Sequence, residues 1–215
     1  MKDQFNREIS YLRISVTDRC NFRCKYCMGE DGIDLLSHKD IMSYEEILEV
    51  VDILTDLGIK KVRITGGEPF ARRDVMDLIG QIAAIDEIDD IGITTNASMM
   101  YDKLDYLKEI GVNRLNISLD TLDPDKFMEI TRRNEFYNTS KALKKAIDLD
   151  FQIKINTVLI KEFNDDEIDD FINLTKDYDI EVRFIELMPI GKASQFDRVN
   201  FKNNLDILEG YSYED

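Results

Sequence analysis

The chain has 215 residues, 43% of them hydrophobic and 33% charged, and a formal net charge of −16. This length and apolar content suit one large globular domain and argue against a disordered chain, while the acidic balance argues against nucleic-acid or anionic-membrane partners, which are themselves negative. Residues 1–10 are polar and charged, and no run approaches the roughly 18 apolar residues that cross a bilayer, so a cytoplasmic protein is expected.

In chain order, the first strand is predicted at 11–16, with Leu12, Ile14 and Val16 on one parity and Arg13, Ser15 and Thr17 on the other. All three cysteines follow at once, Cys20, Cys24 and Cys27. An odd number packed into eight positions is the opposite of a dispersed disulfide framework and points to metal ligands. Three buried free thiols, or a zinc site completed by His38, are the alternatives; zinc modules ordinarily pair two short knuckles. Ser43 and Glu46 then form a capping box ahead of Ile47, Leu48, Val51, Leu54 and Leu57, and Gly58 ends that helix. A second strand, 61–65, opposes Val62 and Ile64 to Arg63 and Thr65, and runs into Gly66 and Gly67. Val75, Leu78, Ile79 and Ile82 mark the next helix. Strand 90–95 sets Ile91 and Ile93 against Gly92, Thr94 and Asn96, and Leu104 with Leu107 precedes Gly111 as a further helix. Strand 114–119 sets Leu115, Ile117 and Leu119 against Asn116, Ser118 and Asp120. Strand 152–160 sets Ile153 and Ile155 against Lys154 and Asn156. Asn164 and Glu167 repeat the capping spacing before Ile168, Ile172 and Leu174, and a sixth strand follows at 181–187.

Strict strand and helix alternation implies parallel strands with right-handed crossovers, in an open doubly wound sheet or a barrel. A strand covered by helices on both faces should be apolar on both parities. These are polar on one, so the expected fold is α/β, an open partial (β/α)6 barrel of parallel strands with a polar inner surface; an ordinary half-exposed sheet is the alternative. Arg13, Arg63 and Lys154 share that inner parity, with Arg183 nearby, and guanidinium forks there suit phosphate or carboxylate. Pairing with Asp120 or Glu186 is the competing use of these cations. The cysteine loop leaves the carboxyl end of the first strand, where barrel enzymes keep their sites.

The cysteine spacing, with Tyr26 before Cys27, resembles the signature of the radical S-adenosylmethionine (SAM) superfamily. The wider string from Leu12 to Met28, together with Arg63-Ile64-Thr65-Gly66-Gly67-Glu68-Pro69, Asn116-Ile117-Ser118-Leu119-Asp120 and Arg183-Phe184-Ile185-Glu186-Leu187-Met188-Pro189, resembles its GTP 3′,8-cyclase family of molybdenum cofactor biosynthesis. The likeness runs from about Phe5 to Gly191. It implies a radical SAM core at 1–191 and the start of a C-terminal extension at 192–215. It puts Cys20, Cys24 and Cys27 on one 4Fe-4S cluster with an open iron, and Tyr26, Gly67, Ser118 and Met188 beside SAM. It puts Arg13, Arg63, Thr94 and Lys154 on GTP. The implied reaction is a lyase one: a deoxyadenosyl radical takes the ribose 3′ hydrogen of GTP, and the ring closes at C8 of guanine. An electron donor and, in some members, a homodimer are implied as partners. The expected use of Gly66 and Gly67 is a turn without side chains through which backbone carbonyls approach the methionine ammonium.

Gly29 stands where the family has Pro, and Ala97 where it has Gly. The family also carries a second three-cysteine cluster beyond this region, and no cysteine follows Cys27. The expectation is therefore an incomplete cyclase. A radical SAM enzyme for another anionic substrate, and a non-catalytic iron-sulfur protein, are the other readings.

Overall fold

The computed structural model describes residues 2–201 and 203. Its strands are β1 Tyr11–Ser15, β2 Lys61–Thr65, β3 Asp90–Thr95, β4 Arg114–Ser118, β5 Gln152–Leu159 and β6 Ile180–Glu186, all within a residue or so of the expected segments. Six helices lie between them: α1 Tyr44–Asp56, α2 Val75–Ala83, α3 Leu104–Glu109, α4 Pro124–Thr131, α5 Phe136–Asp148 and α6 Ile168–Asp177. The strands form one sheet in the order β1-β2-β3-β4-β5-β6, so each strand pairs with its predecessor in the chain and β1 and β6 stand at the two ends. Pairing is parallel, with Arg13 opposite Arg63, Arg63 opposite Gly92, and Thr94 opposite Asn116. A sequential parallel order with a helix in every crossover is the β/α-barrel connection rather than the doubly wound one, whose strand order reverses at a switch point.

The expected parity shows as alternating burial in β1, β2 and β5, whereas in β3 and β4 Gly92 and Asn116 of the polar parity are buried as well. In β2 Val62 and Ile64 are buried while Arg63 and Thr65 are half-buried, and in β5 Ile153, Ile155, Thr157 and Leu159 alternate with half-buried Lys154, Asn156 and Val158. Helix ends follow their local chemistry. At α1 the Ser43 hydroxyl accepts from Glu46 N and the Glu46 carboxylate accepts from Ser43 N, while Gly58 at φ 98° lets Ile59 N reach Leu54 O at 3.0 Å. This is a Schellman closure, and Ile59 is buried beside it. Only Ile47 and Val51 of the expected stripe are fully buried; Leu57, at the C-cap, is exposed.

The α6 start departs from expectation. Glu167 is the N-cap residue but makes no side-chain cap hydrogen bond. Asn164 instead accepts from Ile160 N at 2.8 Å and donates to Asp120 O at 2.6 Å and Val158 O at 2.9 Å. The Glu167 carboxylate accepts from Thr121 Oγ1 and Leu122 N and pairs with Lys126. Both side chains are drawn into tertiary contacts around β4 and β5, where buried backbone groups would otherwise lack partners.

The chain divides into two compact units, 1–21 with 34–117 and 138–153, and 22–33 with 118–137 and 154–215. The first buries Val51, Ile64, Leu78, Ile79, Ile82, Ile93, Leu104, Leu107, Leu115 and Ile117 to 0% exposure. Each such Ile or Leu contributes roughly 1.5–3 kcal/mol. The second packs Ile130, Ile160, Leu187 and Ala193 with Tyr26, Phe163, Phe196 and Phe201, and sets Phe22 edge-on to Phe127 at 5.6 Å. Residues 193–201, part of the expected extension, thus contribute to that core; 202 and 204–215 lie outside the described residues. No helix among the described residues is long and apolar enough to cross a membrane.

Candidate functional site

In the first unit the chain leaving β1 is braced by the chain leaving β2. Val16 N donates to Thr65 O at 2.9 Å, Gly67 N to Thr17 O at 2.7 Å, and Glu68 N to Arg19 O at 2.8 Å. A Cβ on Gly66 would stand 2.6 Å from Thr17 O, and one on Gly67 2.3 Å from Arg19 O and 2.9 Å from Asp18 O. The structure gives the glycine pair a packing role in addition to the expected one. The space a side chain would fill is already taken by the backbone just ahead of Cys20, so these glycines allow one loop to seat on another.

Glu68 is fully buried and accepts from Thr95 Oγ1 at 2.8 Å, Asn96 N at 2.8 Å and Phe70 N at 3.2 Å. Burial pushes its carboxyl above the ordinary value, and the three donors oppose that rise. Arg72 donates to Val16 O and Met42 O and lies 4.1 Å over the Tyr44 ring, a second brace on the end of β1. Neither Glu68 nor Arg72 stood out in the sequence as a site residue; the only signal was their place beside the Gly-Gly turn. Near Cys20, Asn96 Nδ2 lies 4.0 Å from the sulfur. Ala97, where the resembled family has Gly, adopts φ 63° with its methyl fully buried.

The expected anion-binding cations divide into two kinds. Arg13 and Arg63 are register partners on β1 and β2, and among the described residues neither forms an ion pair. The Arg63 guanidinium lies against Gly92, whose added Cβ would meet Nε at 3.0 Å, and it sits 6.0 Å from the Tyr11 ring centroid. Its Nε is buried without a hydrogen-bond partner. Two like charges side by side, one with an unmet buried donor, form an arrangement an anion would satisfy. Thr94 is half-buried on β3 in the same unit. Lys154, in the second unit, instead pairs with Glu181, which also holds Arg183. The carboxylate that answers these two cations is Glu181, not Asp120 or Glu186.

In the second unit Cys27 N and Met28 N both donate to Cys24 O, at 2.9 and 3.0 Å, folding the loop into a turn between the two cysteines. Arg23 N and Lys25 N donate to Thr131 O and Ile130 O at the end of α4. Arg132 donates to Arg23 O at 2.6 Å, so the loop's backbone is held from several sides. The Tyr26 hydroxyl donates to Asp120 Oδ2 at 2.7 Å, and Val158 N donates to Asp120 Oδ1 at 2.9 Å. Burial raises the Asp120 carboxyl to about 6 against those two donors, and burial with the Asp120 charge raises the Tyr26 phenol. Burial on one side likewise raises the Cys27 thiol. Ser118 and Met188 are exposed. The cysteines form no disulfide. Among the described residues no three His, Cys, Asp or Glu side chains are gathered on one point as a single metal ion requires. The side chain of His38, the alternative zinc ligand, lies outside the described residues.

The profile of the radical SAM superfamily matches residues 14–175. Among curated proteins, a GTP 3′,8-cyclase of Syntrophomonas wolfei is 52% identical over 192 residues, 89% of this chain and 59% of that protein. One from Listeria welshimeri is 51% identical over 194 residues, 90% of this chain and 58% of that protein. The chain thus spans under two thirds of the length of these relatives. Among solved structures, Streptococcus suis SuiB bound to S-adenosylmethionine matches with a TM-score of 0.69 at 18% identity, covering 94% of this chain and 46% of that one. Coproporphyrinogen III oxidase of Escherichia coli, a radical SAM enzyme, matches with a TM-score of 0.63 at 15% identity, covering 93% and 50%. These structures share the fold.

Proposed function

The chain belongs to the radical SAM superfamily, and from that premise we propose that it is the SAM-cleaving core of a GTP 3′,8-cyclase of molybdenum cofactor biosynthesis. Residues 1–191 form that core, and 192–215 begin a C-terminal extension. The observation that carries the activity is identity at about half of all positions with GTP 3′,8-cyclases over 89% and 90% of this chain.

The donor set fits a 4Fe-4S cluster held by Cys20, Cys24 and Cys27. A single tetrahedral ion needs its ligands on one centre, whereas each corner of a cube takes one thiolate, and three thiolates leave one corner for SAM. When bound, cluster and SAM supply a carbon-centred radical from a cleaved carbon–sulfur bond. The protein's part is to place and shield. Tyr26, tied through its hydroxyl to Asp120, presents a fixed ring to SAM. Ser118 and Met188 contribute exposed contacts, and Gly67, whose N–H is spent on Thr17, contributes its carbonyl. Arg13, Arg63 and Thr94 take the phosphates of GTP; Arg63 gains the partner its Nε lacks. Lys154 must exchange Glu181 for phosphate, so its removal is expected to weaken GTP binding less than removal of Arg63. An external one-electron donor is required, and a reducing cytoplasm suits cysteines that form no disulfide.

Anaerobic reconstitution tests this. About four irons per chain are expected, with deoxyadenosine formed from SAM on reduction, and Cys24→Ala should lose both. Zinc in place of iron would overturn the superfamily chemistry. In the protein as expressed from its gene, cleavage of SAM with GTP present but no cyclised nucleotide would overturn the cyclase reading alone.

A further inference from the structure

Asn96, at the end of β3, uses every hydrogen-bonding position of its side chain. Its Oδ1 accepts from Ser98 N at 3.0 Å and from Ser98 Oγ at 2.7 Å. One proton of Nδ2 goes to Asn21 Oδ1 at 2.8 Å, and Asn21 Nδ2 returns to Ser98 Oγ at 2.9 Å. Asn21, Ser98 and Asn96 therefore close a ring in which each side chain donates to the next, and a closed ring of this kind is mutually reinforcing. The ring also fixes the amide's orientation. Turning Asn96 over would set its NH2 against the Ser98 N–H, donor against donor.

Among the described residues the second Nδ2 proton has one acceptor, Cys20 Sγ at 4.0 Å. Asn96 is 7% exposed, so water does not readily replace that acceptor. Its backbone is pinned too, since N donates to Glu68 Oε2 at 2.8 Å and O accepts from Thr139 Oγ1 at 3.1 Å.

We infer that Asn96 is a positioning residue for the Cys20 ligand: its ring-locked amide directs one N–H at the sulfur and so sets the reduction potential of the cluster bound there. This rests on the reading of Cys20 as a cluster ligand. Hydrogen bonds to cluster sulfurs stabilise the extra charge of the reduced state and raise the potential, and outer partners of this kind also orient the ligand.

The test measures the midpoint potential and the electron paramagnetic resonance spectrum of the reduced cluster in wild type, Asn96→Leu and Ser98→Ala, each with iron content determined. Asn96→Leu keeps side-chain bulk but removes the N–H, and is expected to shift the redox equilibrium about tenfold against reduction, about 59 mV for one electron. Ser98→Ala opens the ring but leaves the amide, and should give a smaller shift in the same direction. A change in protein stability alone would not move either readout. An unchanged potential in Asn96→Leu at full iron content overturns the inference and leaves the proposed function standing. If Asn96→Leu retains no cluster, Ser98→Ala decides: a lowered potential supports the inference, and the wild-type value overturns it. If wild type takes up no iron–sulfur cluster, the proposed function falls and the inference with it.

Discussion

Gly67 and Ala97 occupy turns where one carbon has opposite consequences. A methyl on Gly67 would enter backbone 2.3 Å away at Arg19 O, and backbone cannot step aside as a flexible side chain can. Gly67→Ala is therefore expected to unseat the loop ahead of Cys20 and lose most of the reconstituted iron, read by iron assay. At Ala97 the left-handed φ of 63° costs roughly 1–2 kcal/mol. Its fully buried methyl returns about 0.8 kcal/mol, and a glycine there would free the unfolded chain by a further 0.4–1 kcal/mol or so. These terms nearly cancel, so Ala97→Gly should change stability by less than about 1 kcal/mol in urea unfolding. Asp120 gives a pH signature. Its carboxyl is raised from 3.8 to about 6, so between those values the folded chain holds a proton that the unfolded chain has lost. Stability attributable to this group thus falls as pH rises across that window and is fully lost above about 6. Asp120→Asn can still accept from Val158 N and can donate to the Tyr26 hydroxyl. It is expected to flatten the slope of urea midpoints between pH 4 and 6, and an unchanged slope would assign the pH dependence to other groups.

Two helix starts with the same four-residue spacing behave differently, and mutation should separate them. Ser43→Ala at α1 removes a surface capping box and should cost about 1 kcal/mol. Asn164→Ala ahead of α6 strips partners from Ile160 N, Asp120 O and Val158 O, all on the buried side, and should cost about 2–4 kcal/mol by the same urea measurement. The pattern Asn164 to Glu167 looked like a cap because spacing is local information, whereas the groups that captured both side chains lie up to 46 residues away. The strands were legible for the converse reason. Period-two alternation in β1 to β5 records which parity meets the helices, and that requirement is written into each strand separately. Within the candidate site, the cysteine spacing and the Arg13–Arg63 parity could be read directly. The Asn21–Ser98–Asn96 ring could not, since it joins positions 75 and 77 residues apart with no repeating pattern. Nor could the choice of Glu181 by Lys154, since several carboxylates were equally available in sequence.

At the scale of the whole molecule, a net charge of −16 opposes the approach of any polyanion, while Arg13 and Arg63, the proposed phosphate contacts, which form no ion pair among the described residues, would favour it on arrival. The repulsion acts over distances beyond the roughly 8–10 Å screening length of physiological salt, so salt weakens it before it weakens contact. The association rate of a fluorescent GTP analogue is expected to rise with ionic strength from low to physiological salt, while its dissociation rate rises as well. An association rate that falls over that range would mean that the basic pair, not the net charge, governs approach. The sequential strand order also bears on how the protein is made. Each strand pairs with the one synthesised just before it, so every pairing closes one crossover's worth of chain. The bonds from Gly67 to Thr17 and from Glu68 to Arg19 can form before β3 leaves the ribosome. Synthesis from the N-terminus, at about 5–20 residues per second, would then brace the backbone ahead of Cys20 while most of the polypeptide has yet to be translated.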